Sequence, residues 1–323
     1  MYIVFYIKDK NILDPHFLFY LFKTNFYQNK IKSLAASRGS IRQTLKLEDL
    51  LNFEIPLPPF PIQQKIVKIL DTIQEAIDIQ EKIIEKTKEL KKSMMAELFK
   101  YGAPSFRRGR KLKKTEIGEI PENWEVVRLG EVGRIVDGDW ILEKYYSENG
   151  VRLFQVGDIG IGQLLNKSNR YISIDSANKL KVKFLKEGQI LISRLPHPIG
   201  RACIVPKLNY PAITAVDVSI LMVDEKIADK LFIVQILNTN FFFQQCLNLA
   251  SGSTRPRISR INLEKTLIFL PPLPEQQEIA EILQIIDQKI EIEKKKKELY
   301  EELFKTMLNK IMHQEIDVEK IEI

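Results

Sequence analysis

The sequence predicts an α+β fold: one complete domain of mixed strands and helices, a partial one, and two long helices that join them. Three observations lead there. A segment with a proline-rich start and a long helical pattern occurs twice at a constant offset of 213 residues, as from Pro58 to Pro271, Gln64 to Gln277 and Leu90 to Leu303. Such self-similarity fixes an architecture before any other signal does. Between the two copies, short apolar runs are punctuated by Gly and Pro, the mark of strands and turns. Finally, 323 residues exceed one ordinary core, so two domains are expected.

Residues 1–56 open on the apolar run Met1–Ile7, which has no basic leader and meets charge at Lys8, so it reads as a strand rather than a signal peptide. A helix rich in Phe and Tyr is predicted from Pro15 to Leu34, followed by the polar loop Ser37–Gln43 and the stretch Leu45–Ile55. This region matches residues 227–269: Thr24-Asn25-Phe26 with Thr239-Asn240-Phe241, Gly39-Ser40 and Arg42 with Gly252-Ser253 and Arg255, Leu50 and Ile55 with Leu263 and Ile268. The duplication thus extends upstream of the prolines, and residues 1–56 correspond to the C-terminal part of a domain without the strands that would carry loops.

Residues 57–100 and 270–315 are the long helices. Pro61 and Pro274 suit a helix start, where a missing N–H costs nothing. Beyond them, Ile66, Ile69, Leu70, Ile73, Ile77, Ile83, Ile84, Leu90, Met94 and Leu98 recur at helical spacing, as do Ile279, Ile282, Leu283, Ile286, Ile290, Ile292, Leu303, Met307 and Ile311; steps of three and four put them on one stripe, with Glu and Lys between. A helix from Gln63 to Leu98 is about 36 residues, roughly 54 Å at ~1.5 Å per residue. The simplest cover for each stripe is the other copy, in a two-helix coiled coil; packing of each helix on its own domain is the alternative. Gln63, Gln64, Ile66, Leu70, Ile73 and Ile77, with Gln276, Gln277, Ile279, Leu283, Ile286 and Ile290, are the expected helix–helix or partner contacts. Gln80, Thr87, Glu293 and Lys296 fall on or near the seam and make the heptads imperfect, while Lys294–Lys297 reads as a solvated face.

Residues 101–115 form a basic connector with Arg107, Arg108, Arg110, Lys111, Lys113 and Lys114, either a tether beside a polyanion or a solvated linker. Residues 116–269 form the complete domain. Strands are expected at Val151–Val156, Arg170–Ile174, Gln189–Ser193, Ala202–Val205 and Val216–Val223, with a late helix from Ala228 to Leu249. Residues 316–323 are a short tail.

Composition narrows the chemistry. A formal charge of +7 leans toward a polyanionic partner, weakly, because 42 acids accompany 49 bases. Cys203 and Cys246 lack metal-ligand spacing and imply no disulfide framework. No apolar run reaches the ~18–20 residues of a membrane span, so a cytoplasmic protein is expected. His16, His197 and His313 lie far apart and suggest no metal site. The glycines in Gly157-Asp158-Ile159-Gly160-Ile161-Gly162 have the wrong order for a dinucleotide fingerprint and read as turn glycines. There is no Walker loop. In the Leu-Pro-Pro runs a leucine stands where an amino-methyltransferase motif needs Asn or Asp. No catalytic residue, metal or cofactor is assigned, and the chain is expected to bind rather than catalyse.

Three polar loops are the candidates for binding nucleic acid: Lys167, Asn169 and Arg170; Arg194, His197 and Arg201; and Ser253, Thr254, Arg255, Arg257 and Arg260. Arginine can fork onto guanine edges, while hydroxyls and lysines reach phosphates. Any one of them serves equally as a solvated surface charge; the three loops together carry the reading.

With these residues in view, the layout resembles the specificity subunit of type I restriction–modification enzymes. The Leu-Pro-Pro-x-Pro-x-Gln-Gln helix starts at 57–64 and 270–277, the opening Gly118-Glu119-Ile120-Pro121-Glu122-Asn123-Trp124 and the Gly-Ser-Thr-Arg loop at 252–255 carry the resemblance, which covers essentially the full chain. It implies two target-recognition domains, each reading half of a split DNA sequence, and an antiparallel coiled coil that spaces them and binds methyltransferase subunits. A spacer of roughly 50 Å spans about 15 base pairs at ~3.4 Å per step. S-adenosylmethionine would be bound by the methyltransferase partners, and ATP and Mg by a restriction and translocation subunit. One departure is that no Pro-x-x-Trp opening precedes residue 57. A truncated gene product, a complementing specificity fragment, or a homodimer reading a symmetric site would each account for it, and the alternative function is a non-reading scaffold or decoy subunit that docks methyltransferase through its helices.

Overall fold

The structure is a computed structural model that describes residues 4–36, 45, 47–196 and 198–321. In chain order, α1 (Pro15–Lys23), α2 (Asn25–Ala36), α3 (Leu47–Leu51) and the long α4 (Phe60–Tyr101) come first. Then follow β1 (Leu112–Thr115), β2 (Gly118–Pro121), β3 (Glu125–Arg128), β4 (Gly133–Asp137), β5 (Tyr146–Ser147), β6 (Val151–Phe154) and β7 (Tyr171–Ile172). Next are α5 (Ile174–Leu180), β8 (Ile190–Ser193), β9 (Ala202–Ile204), β10 (Ala212–Thr214) and β11 (Val218–Val223). The chain ends with α6 (Lys230–Leu237), α7 (Asn240–Asn248), α8 (Arg260–Glu264), β12 (Leu267–Leu270) and the long α9 (Leu273–Met312).

Two compact units divide the chain: residues 1–89 with 288–323, and residues 90–287. The divisions fall inside α4 and α9, not at their ends where the domain limits were expected, because each half of a long helix packs on a different core.

In the first unit, Phe17, Leu21, Ile66, Leu70 and Ile77 share a core with Phe304, Leu308 and Ile311. Ile66 lies toward one end of its helix and Ile311 toward the opposite end of its own, so the two stretches run antiparallel. The buried Gln80 donates to the buried Glu293, and Lys297 pairs with Glu81 at 3.3 Å. Gln80 and Glu293 stand 213 residues apart. They are therefore the same position of the duplicated segment, meeting where the pairing is its own mirror. The single helix expected over Pro15–Leu34 is two, because Thr24 takes an extended conformation and its hydroxyl donates to Leu21 O at 2.8 Å. The expected strand at Met1–Ile7 is not found over Val4–Ile7, which are not in a strand; residues 1–3 and the loop of Gly39, Ser40 and Arg42 lie outside the described residues.

In the second unit, a sheet of order β4-β11-β8-β9, antiparallel throughout, is covered on both faces. Alternation along β8 decides it: Ile190 and Ile192 join one core with Trp124, Phe232 and Ile279, while Leu191 joins the opposite one with Cys203 and Ile220. A second sheet, β10-β6-β7-β5, surrounds Val151, Leu153, Ile172 and Ile213. The late helix again splits, at Thr239, whose hydroxyl caps α7 and donates to Ile236 O at 2.7 Å. The basic connector is not a free linker. Arg110 forks onto the fully buried Glu275 (2.8 Å from Nη2 to Oε2), Arg107 pairs with Glu97, and Leu112–Thr115 pairs with β2. Glu275 also accepts from Trp124 Nε1 at 3.0 Å and Ala103 N at 3.2 Å, tying α9, the end of α4 and the Pro-x-x-Trp opening together. Lys91 meets Asp287 at 2.7 Å, and Leu98 packs with Ile279 and Leu283, again an antiparallel helix pair.

Candidate nucleic-acid interface

The sheet of the second unit holds its loops at defined places. β8 ends at Ser193, and the loop 194–201 leads back into β9. Ser193 N donates to Arg201 O at 2.9 Å and Gly200 N to Ser193 O at 2.8 Å. Gly200 takes φ +91 with Phe242 and Cys246 against its α carbon, so no side chain fits there. The loop 251–259 closes on itself through reciprocal Ser251 and Arg257 backbone bonds of 3.0 and 2.8 Å. It docks on the first loop through Ile258 N to Arg194 O at 3.1 Å. The third loop approaches from another side: Gly157, Ile159, Lys167, Pro198 and Arg201 line one cavity of about 410 Å³. The loops of Arg257 and of Lys167 thus each touch the β8–β9 connection, the first at Arg194 and the second beside Pro198 and Arg201.

Individual residues fare differently. Ser253, Thr254 and Arg255 are exposed on the turn, and Lys167 and Asn169 are exposed on theirs. Arg170 is exposed and lies over the Tyr146 ring at 5.0 Å. Arg257 and Arg260 are half-buried and paired with Asp217 (2.9 Å) and Asp137 (3.7 Å). Arg201 overturns its assignment. It is buried, donates to Ile159, Leu195, Pro198 and Val156 carbonyls at 2.7–3.2 Å, and has its pKa lowered by burial. Four converging carbonyls explain a cation at this place, and they take four of its five N–H groups. Arg194 is also buried, its pKa lowered by burial, and it bonds Val216 O and stands 3.4 Å from Asp137, so it acts behind the surface. His197 lies outside the described residues.

The helix contacts also need correction. Gln63 and Gln276 are buried, but each clasps its own unit. Gln63 Oε1 accepts from Asp14 N at 2.9 Å, and its Nε2 donates to Ile12 O and Pro58 O at 2.8 Å. Gln276 repeats this with Asp229 N, Ile227 O and Pro271 O at 2.8–3.0 Å. Gln64 and Gln277 are exposed. Ile66, Leu70, Ile77, Ile279, Leu283 and Ile290 are buried, and Ile73 and Ile286 are half-buried. Ile83, Leu90, Ile292 and Leu303, placed by periodicity on the inner stripe, face outward instead, because the pairing surface is narrower than the apolar arc. With Ile79 and Leu299 they leave apolar side chains on the outside of the helices.

Sequence reasoning missed Asp137, Asp217 and Trp140. Asp137 closes β4, Asp217 precedes β11, and Trp140 is 69% exposed on the loop fixed by Asp139 N to Thr214 O at 2.8 Å. Strand-end carboxylates followed by glycine, as in Asp137-Gly138, were the available signal. Among the described residues no group of His, Cys, Asp and Glu could hold a metal ion, and no helix is long and apolar enough to cross a membrane.

Comparison with known proteins places the geometry in context. Residues 2–89 and 121–302 match the family described as type I restriction modification DNA specificity domain. The chain is 33% identical over 319 residues, 98% of its length and 73% of the relative's, to the type I restriction enzyme MjaVIII specificity subunit of Methanocaldococcus jannaschii. It is 31% identical over 313 residues, 96% and 70% of the two chains, to the putative MjaX specificity subunit of the same organism. In fold it is similar to the type I restriction–modification S subunit from M. genitalium, with a TM-score of 0.60 at 17% identity over 94% and 74% of the chains. A chain from a study of complex assembly and conformational transition in the type I system gives 0.58 at 22% over 94% and 72%.

Proposed function

The chain belongs to the type I restriction–modification DNA specificity family, and from that premise we propose that its second unit reads one part of a split target on double-stranded DNA. The observation that carries this reading is that two further polar loops flank the β8–β9 connection, one with exposed Ser253, Thr254 and Arg255 beside the half-buried Arg257 and Arg260, the other with exposed Lys167 and Asn169. Hydroxyls and lysines suit the phosphates, and arginines suit base edges. Methylation and cleavage then reside in methyltransferase and restriction subunits, which supply S-adenosylmethionine, ATP and Mg.

The paired helices offer those subunits an outward apolar set. Ile292, Leu299 and Leu303 recur at steps of seven and four on α9, and Ile79 and Ile83 at a step of four on α4. Exposed apolar side chains grouped in this way mark an interaction surface. Leu299→Asp should abolish co-purification with the methyltransferase and leave the melting temperature unchanged.

Co-expression with the partner methyltransferase, followed by methylome sequencing, tests the main reading. A methylated motif that changes when the 251–260 loop is exchanged is expected. Methylation with no motif dependent on residues 116–269 would reduce the chain to a scaffold.

A further inference from the structure

Five charged side chains, from the end of β4, the start of α8 and three loops, collect at the end of β8. Arg194 Nη2 stands 3.4 Å from Asp137 Oδ1, Arg257 Nε 2.9 Å from Asp217 Oδ1, and Arg260 Nε 3.7 Å from Asp137 Oδ2. Asp217 O also accepts from Arg194 N at 2.9 Å, and Arg260 pairs with Glu264. The carboxylates remain open to solvent, with side chains 36% exposed for Asp137 and 30% for Asp217, and so does Arg257 at 41%.

Donors in this group are unspent. Arg194 is only 4% exposed, yet its Nε has no hydrogen-bond partner. Arg257 Nε is close enough to Asp217 for an ion pair but not aligned for a hydrogen bond. Buried polar groups normally find partners, and an unmatched one asks for an explanation.

The signs decide which ligand fits. A phosphate site wants donors alone, and a carboxylate within it repels the backbone. Here guanidinium and carboxylate stand side by side. That alternation matches a base-pair edge in the major groove, where guanine presents O6 and N7 acceptors and cytosine an N4 donor.

We propose that Arg257 and Asp217 together read a G·C base pair, Arg257 forking onto guanine and Asp217 accepting from the cytosine amino group, with Arg194 and Asp137 as positioning residues behind them. This rests on the DNA-reading function above and adds which base pair is read and by which carboxylate. In the free protein Asp217 holds the Arg257 guanidinium at the surface, so the pair is organised before DNA arrives.

Methylome sequencing of cells co-expressing the methyltransferase partner with Asp217→Asn, Arg257→Lys or the unaltered chain tests it, with melting temperatures as control. Both variants should relax the same single position, on the order of tenfold in methylation preference, and that position should carry G·C in the unaltered motif. Arg257→Lys keeps the charge and loses the fork, so it stays informative if Asp217→Asn disturbs folding. Relaxation at an A·T pair, an unchanged motif in both variants, or equal loss at every site with unchanged melting would overturn the assignment while the reading function stands. A motif absent from the unaltered chain would remove both.

Discussion

The two units are built from the same segment, and they differ where one charge meets one ring. Asp14 caps α1 and Asp229 caps α6; Thr24 and Thr239 each break the helix that follows; Gln63 and Gln276 make the same three hydrogen bonds. Past the glutamine the units part. Glu275 receives Arg110, Trp124 and Ala103 in the second, and Trp124 stacks on Phe269 at 5.2 Å. The matching positions in the first are Ile62 and Pro56, which help line a cavity of about 390 Å³ with Phe17, Ile66 and Val318. The common part is thus the helix hairpin with its glutamine clasp. The carboxylate adds a second layer, the opening segment with β3 laid against β12.

Breaking the carboxylate should separate the units most. Glu275→Ile, which copies the first unit into the second, strands the Arg110 guanidinium and the Trp124 indole N–H. It should cost about 3–5 kcal/mol in chemical denaturation. The glutamines come next. Gln63→Ala and Gln276→Ala each leave buried carbonyls and an N–H unmatched, costing about 2–3 kcal/mol. Similar losses are expected, since the bonds are the same; a loss confined to one would show that the clasp matters in only one unit.

The pair at the point of self-matching gives a pH signature. The hydrogen bond from Lys289, then that from Gln80, hold the Glu293 carboxyl at about 2, below its usual 4.5. Its contribution is therefore complete above about pH 4.5 and lost as pH falls through about 2. Glu293→Gln should flatten the acid limb of stability measured from pH 5 to pH 2. The smallest effect is a gain. Pro56→Phe restores the ring that Phe269 supplies and fills the first unit's cavity. The proline's loss offsets part of this, leaving about 1 kcal/mol or less in thermal denaturation.

Much of the architecture was legible because helix periodicity and proline placement are local. The long helices begin at Phe60 and Leu273 with Pro61 and Pro274 in the first turn, where sequence placed them. The strands at β6, β8, β9 and β11 were legible from short apolar runs. Less local signals failed. Nothing in the residues 100–115 says that Arg110 finds a buried acid 165 positions away. Arg255 and Arg201 look alike in sequence; one is exposed on a turn and the other caps four carbonyls.

By itself the sequence determined the duplication, the helix starts, the mixed strand-and-helix domain and the loops that gather polar residues. Those follow from spacing along the chain, which needs no partner to be read. Tertiary structure alone decided which side of an apolar arc is covered, which of two adjacent glutamines is buried, and which arginines keep donors for a ligand. Burial and charge pairing are set by residues far away in the chain, so no local pattern encodes them.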